Sequence, residues 1–355
     1  MNKTSLISSE KNWIEHTAIK QLEALSDLKG VIKVVGLPDL HAGKSPVGLA
    51  AVTEGIIYPH IIGSDIGCGM ALFKTGIKRK KFKKDRWVTK LNHIRELADI
   101  ETTNPYEEPS PIYDLGTIGS GNHFAEFQIL EEVFDVVEFE KLKMDKEDLL
   151  LLVHSGSRGY GQSILGEFNS VDGYPVNSIE AKGYIDKHED ALLWAERNRI
   201  VVANKLINYL GYASQAERII DCKHNFLEQK NNLLLHRKGA VSAEVGPVVI
   251  PGSRGTLTYV VMPTDKVEQS AYSLSHGAGR KWARSLCKSR IGDKYDRDTI
   301  RETKLKSHIV CHDTDLLFQE APEAYKNIQT VISSLLEYDL IKIVATLKPV
   351  LTYKG

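Results

Sequence analysis

Net charge is the first thing this sequence lacks. Lys plus Arg and Asp plus Glu both number 46 in 355 residues. A strongly basic chain would point to nucleic acid by its bulk field; here any such contact must come from local clusters. Cysteine is scarce. Cys68, Cys222, Cys287 and Cys311 are too few and too scattered for a disulfide framework, and no paired CxxC spacing marks a structural zinc site. The opening residues, MNKTSLISSEKNW, carry no apolar h-region, and no apolar run approaches the length of a bilayer span. The expectation is a reducing, cytoplasmic setting with no membrane partner. Internal repeats and low-complexity segments are also missing, and no βαβ rhythm recurs, which argues against a doubly wound sheet.

A hydrophobic content of 42% against 26% charged is enough to build a real core. Residues 30–75 hold short apolar runs broken by glycine (VIKVVG, PVGLAAVTEGI, MALF), which predict strands and tight turns. Residues 184–210 carry Ala191, Leu192, Trp194, Ala195, Val201, Val202, Leu206 and Ile207 at helical spacing, with Gly211 as the stop. A second long helix is expected over 322–344, and residues 240–263 alternate turns with β-rich runs. Residues 101–111 (ETTNPYEEPSP) look like a surface loop. Together these predict a compact α+β fold, one large domain over 1–355 with mixed sheets and helices around a central site.

Glycine-dense loops holding polar side chains recur six times: DLHAGK (39–44), GSDIGCG (63–69), GSGNH (119–123), HSGSRG (154–159), PGSRG (251–255) and SHGAGR (275–280). Glycine allows close backbone approach to a ligand, successive N–H groups form an anion nest, and Arg adds bidentate phosphate donors. One such loop is an ordinary turn; six suggest a large phosphate-bearing ligand. Asp65 and Cys68 stand three apart in a glycine-rich turn, where both could face one ion. A thiolate can bridge two metals and a carboxylate favours a harder ion such as manganese. His123, His154 and His224 add imidazoles, although a lone His is more often a satisfied core residue. Glu126 and Glu228 follow His123 and His224 by a few residues, and on a helix would share a face with them. The spacing alone suits manganese, zinc, cobalt or iron. The run KRKKFKK (78–84) is the strongest basic stretch. It reads either as a solvated face or as an RNA contact, with Phe82 available for stacking.

In combination, DLHAGK, SDIGCGM, GSGNHFAEFQ, HSGSRGYG, HNFLE, HRKGA, IPGSRG, SHGAGR and EAPEAYK resemble the RtcB family of RNA ligases, in the right order and over nearly the whole chain. The resemblance implies that family's own fold and a two-manganese site, with Asp65, Cys68, His123, His154 and His224 as ligands and Cys68 as the bridge. It implies that His276 takes GMP from GTP and that Asp39 orients it. It places GTP against Asn122, Glu126, His224, Asn225, Pro251, Gly252, Ser253, His276, Gly277, Ala278, Gly279 and Lys354. Arg158, Arg237, Lys238 and Arg280 would meet RNA or its phosphates. The implied reaction joins RNA with a 2′,3′-cyclic phosphate or 3′-phosphate end to a 5′-hydroxyl end. The chain is shorter than typical members, and Arg254 stands where the family more often has an apolar residue. LPDLHAGKSPVG and YPHIIGSDIGCGM are closer to the branch associated with a release-factor-like protein and RNA repair. Two other readings use the same residues: a two-metal phosphodiesterase or cyclic-phosphate hydrolase, which needs neither GTP nor His276, and a non-catalytic RNA-binding repair partner.

Overall fold

A computed structural model describes residues 3–100, 114–213 and 215–355. The expected loop over 101–111 lies outside the described residues. The apolar runs pair into two large sheets. In the eight-stranded one, Val248–Pro251, Thr258–Pro263, Ile341–Lys354, Phe124–Val133, Asp148–Ser155, Gly69–Lys78 and Glu217–Lys223 lie side by side, and His308–Cys311 adds in parallel to the end of Ile341–Lys354. The five-stranded one runs Thr4–Leu6, Val31–His41, Val47–Glu54, Leu233–Lys238, Asn225–Lys230. Thr4–Leu6 pairs in parallel and the other neighbours antiparallel, so the architecture is the mixed α+β one expected.

The larger sheet is buried on both faces, which explains why LLLLV (149–153) shows no polar alternation. Along each strand successive side chains face opposite ways. Leu150 and Leu152, with Met70 and Leu72, join Val35 and Val52 of the smaller sheet in one apolar cluster. Leu149, Leu151 and Val153, with Ala71 and Phe73, pack instead against Val202, Ala203, Leu206 and Ile207 of the helix Ile179–Tyr209. That helix starts five residues before the expected 184, capped by Ser178, whose hydroxyl accepts from the Ala181 N–H.

Two expectations fail. The helix sought over 322–344 is only Ile328–Glu337, capped by Asn327; Asp339 then turns through φ 53°, and Ile341–Lys354 is a central strand. Its β-branched residues (Ile341, Ile343, Val344, Thr346, Val350, Thr352) pack better on a pleated surface than on a helix. The helical relation of His123 to Glu126 and of His224 to Glu228 is also wrong. Phe124–Val133 and Asn225–Lys230 are strands, so Glu126 faces away from His123.

Candidate active site

The chemistry gathers where the two sheets meet. Met70 and Phe124 both stand opposite His154 on neighbouring strands. Cys68, two residues before Met70, therefore shares the face of Met70, and His123 immediately precedes Phe124. His224 sits in the one-residue step from Glu217–Lys223 in the large sheet to Asn225–Lys230 in the small one. Its N–H donates to the Cys68 carbonyl at 2.7 Å, and the Gly67 N–H donates to the Asn225 carbonyl at 2.8 Å. The turn bearing Asp65 and Cys68 is thus stitched to the sheet junction. Gly156 leaves room for it: a Cβ there would lie 2.3 Å from Asp65 Oδ1.

Two sets of ligand atoms result, Asp65–Cys68–His123 and Cys68–His154–His224, each with its atoms within 4.8 Å of one another and with Cys68 common to both. Cys68 Sγ is 3.1 Å from His154 Nε2 and 3.3 Å from His123 Nε2. His154 Nδ1 donates to the Asn122 carbonyl at 3.0 Å, which leaves the Nε2 lone pair toward the sulfur. Burial holds the His154 and His224 rings well below their ordinary range, so both are neutral and able to ligate. His224 Nδ1 is buried without a hydrogen-bond partner among the described residues. Burial, reinforced by Asp65, pushes the Cys68 thiol up, and its proton is one that a metal ion would displace. Burial works against ionised Asp65, but the facing His123, 2.7 Å from Oδ2, outweighs it and holds the carboxyl low. The donor set fits a pair of metal ions sharing a thiolate.

His276 stands beside this cluster, its ring 4.7 Å from that of His224 between centroids. The pairing of Ala240 with Ser275 brings it there, since Ala240 N–H also donates to the His224 carbonyl at 3.0 Å. Asp39, fully buried, accepts from His276 Nδ1 at 2.6 Å and from its backbone N–H at 3.2 Å. Burial alone would raise the Asp39 carboxyl; the His276 ring overrides it and keeps the group below its usual value. Nδ1 being committed, Nε2 is the free nitrogen. Gly279 (φ 70°) makes the turn possible, because a Cβ would come within 2.3 Å of the Asp39 carbonyl.

A cavity of about 950 Å³ opens over both features, a size suited to a nucleotide. Its walls include Asp65, Cys68, Asn122, Glu126, His154, His224, Asn225, Lys238, residues 251–253, His276, Gly277, Ala278, Gly279, Arg280 and Lys354. Asp39 and His123 stand behind the wall. Glu126 accepts from Gln128 Nε2 at 2.7 Å and from the Thr352 hydroxyl at 2.6 Å, and burial raises its carboxyl. Lys354 Nζ donates to the Gly121 and His123 carbonyls at 2.8 and 2.9 Å. Lys238 Nζ reaches the Ile62 carbonyl at 3.3 Å, and burial brings the amine down to about 8.

The four candidates for phosphate contact separate. Arg237 is fully buried; it binds Glu228, donates to Ser273 Oγ at 2.9 Å and the Tyr272 carbonyl at 3.2 Å, and stacks on Phe226. It is a strut of the smaller sheet, which corrects the expectation of a phosphate contact. Arg280 lines the cavity while holding Glu320 and the Gln319 carbonyl. Arg158 donates to His123 Nδ1 at 2.9 Å, and Lys238 faces the cavity. In the basic run, Phe82 packs edge-on against Trp87. Sequence reasoning missed Glu320 and Tyr325, both in the cavity wall and both within the quoted EAPEAYK, and Arg199, discussed below.

A family model described as tRNA-splicing ligase RtcB matches residues 21–96 and 89–355. The chain belongs to the RtcB family. Among RtcB relatives, the RNA-splicing ligase RtcB2 of Escherichia coli strain ATCC 25922 is 40% identical over 98% of this chain and 95% of its own length. The RNA-splicing ligase RtcB of Escherichia coli K12 is 27% identical over 96% and 95%. The tRNA-splicing ligase RtcB of Archaeoglobus fulgidus is 26% identical over 96% and 92%. That last match extends over 444 residues, against 355 here, so the RtcB protein it compares carries insertions this chain lacks.

Proposed function

We propose that this chain is an RNA ligase that seals a 2′,3′-cyclic phosphate or 3′-phosphate end to a 5′-hydroxyl end through a histidine–GMP intermediate. The carrying observation is the Asp39–His276 pair, 2.6 Å apart, on the wall of the cavity that also exposes Cys68, His154 and His224. Asp65, Cys68 and His123 would hold one manganese ion, Cys68, His154 and His224 the other. When bound, the metal pair would neutralise phosphate charge and stabilise the charge that builds at phosphorus.

The side chains supply the rest. Asp39 fixes the His276 tautomer, so Nε2 attacks the α-phosphorus of GTP and pyrophosphate leaves. GMP passes from His276 to the RNA 3′-phosphate, and the 5′-hydroxyl then displaces it; a cyclic phosphate end is first opened to the 3′-phosphate. Glu126, Lys354, Asn122, Asn225 and the loops at 251–253 and 277–279 would hold the nucleotide. Arg158, Lys238 and Arg280 would meet the phosphates. The exposed cations Arg79, Lys80, Lys81 and Lys83 would touch the RNA backbone. We place all of residues 1–355 in this one catalytic domain, acting in the cytoplasm on broken RNA beside a release-factor-like partner. The chain is 40% identical to RtcB2, against 26–27% for the other two relatives. No helix among the described residues is long and apolar enough to cross a membrane.

Incubation with α-labelled GTP and manganese should yield an acid-labile protein–GMP adduct that His276→Ala abolishes while metal content stays the same. Cleavage of a cyclic phosphate without GTP, undiminished by His276→Ala, would favour the hydrolase reading instead.

A further inference from the structure

Asp39 orients two imidazoles. Its carboxylate takes His276 Nδ1; its backbone carbonyl accepts from His41 Nδ1 at 2.9 Å. Both rings line the same cavity. A carbonyl oxygen can only accept, so His41 Nδ1 carries the proton and Nε2 keeps its lone pair. That Nε2 makes no hydrogen bond among the described residues. The backbone around the ring is held firmly: Lys326 Nζ donates to the carbonyls of Pro38 and Leu40 at 3.2 and 2.7 Å, and the Ala42 N–H donates to Glu15 Oε1 at 2.8 Å. The titratable groups facing the ring are therefore Asp39, His276 and Lys326, with Glu15 behind the loop.

We propose that His41 is the general base that takes the proton from the attacking 5′-hydroxyl in the sealing step. This rests on the ligase reading above. His276 serves as the nucleophile of the guanylylation steps, and His41 Nε2 is a second imidazole nitrogen with a free lone pair in the same cavity. As the 5′-oxygen bonds to the RNA 3′-phosphorus, the bond from that phosphorus to the GMP phosphate oxygen breaks and its electron pair departs on GMP. The hydroxyl proton moves to His41 Nε2 and then to water. GMP leaves as a phosphate and requires no proton, so one base is sufficient. Burial, against the pull of the Asp39 carbonyl, brings the His41 ring down to about 4, so it is neutral at physiological pH.

His41→Asn tests this, because the Asn amide can still donate to the Asp39 carbonyl but offers no basic nitrogen. In single-turnover assays with end-labelled RNA, the variant should still form the protein–GMP adduct and GMP-capped RNA. Sealing at saturating RNA should slow by about 10²-fold or more, so that capped RNA accumulates. An RNA ending in a 5′-thiol, which ionises without help, should narrow the gap between variant and wild type. The assignment to His41 is overturned if the variant seals at the wild-type rate, if adduct formation falls as much as sealing, if saturating RNA restores the rate, or if the thiol end shows the same deficit. Absence of adduct in the wild type would instead overturn the ligase reading itself.

Discussion

At the scale of single residues, Cys68 has the most to lose, because both ligand sets use its sulfur. Cys68→Ala should strip both ions, and elemental analysis by mass spectrometry should find little manganese in the purified variant; an unchanged content would remove the bridge from the scheme. Lys326 is a different case. Its amine donates to two carbonyls flanking Asp39, and burial brings it from 10.5 to about 8. Between these values the unfolded chain binds more protons than the folded one, so this group makes stability rise with pH across that window. The difference in unfolding free energy between wild type and Lys326→Met, measured by denaturant titration from pH 7 to 10.5, should grow in favour of the wild type above about pH 8. A flat difference would show that the amine is solvated.

At the scale of elements, the helix Ile179–Tyr209 does more than cover a sheet. Arg199 is buried on it, donates through Nη1 to the carbonyls of Gly67 and Ser155 at 2.8 and 2.9 Å, and forms a bidentate pair with Asp221. One side chain thereby pins the Asp65–Cys68 turn to the strand that carries His154. Asn198, its neighbour, binds Thr117 and Ser155 Oγ and holds the segment that leads to His123. Removing Arg199 takes away the bidentate partner of the largely buried Asp221 carboxylate and leaves it the longer contact with the more exposed Arg218, 3.3 Å away. Arg199→Met should lower stability by about 3–5 kcal/mol, and the double variant with Asp221→Leu should recover most of it. Chemical denaturation of the three proteins checks both statements; additivity of the two substitutions would count against the coupling.

At the scale of the molecule, zero net charge leaves any grip on RNA to local patches. Arg79, Lys80, Lys81 and Lys83 are exposed and make no ion pair among the described residues, whereas Lys78 is paired with Asp145 and Asp148, and Lys84 with Glu302. Contacts run from Lys84 through Glu302 to His308, which begins the short strand whose Ile309 lines the cavity. Replacing those four cations with Gln should weaken RNA binding and flatten its salt dependence by about 0.7 per lost contact on logarithmic axes. Fluorescence anisotropy over a range of salt concentrations measures the slope, and an unaltered slope would return the run to a solvated face.

Much of the site was legible before any coordinates. The glycine-dense loops carry the resemblance that singled out Asp65, Cys68, His123, His154, His224, His276 and Asp39, and the fold brings these side chains together. The helix Ile179–Tyr209 announced itself through a long 3.6-residue period. The strand Ile341–Lys354 did not, because a strand buried on both faces shows no alternation and its apolar spacing mimics a helix. Nor could Arg237 be told from a phosphate-binding arginine, since only the fold sets Glu228 and Phe226 against it. Local sequence determined which side chains carry reactive atoms. Tertiary structure alone decided which of them meet: strand register aligned Cys68 with His154, the turn ahead of Phe124 brought in His123, the step between sheets delivered His224, and the Ala240–Ser275 pairing set His276 on Asp39. Such convergence depends on hydrogen bonds between residues far apart in the chain, and no local pattern encodes it.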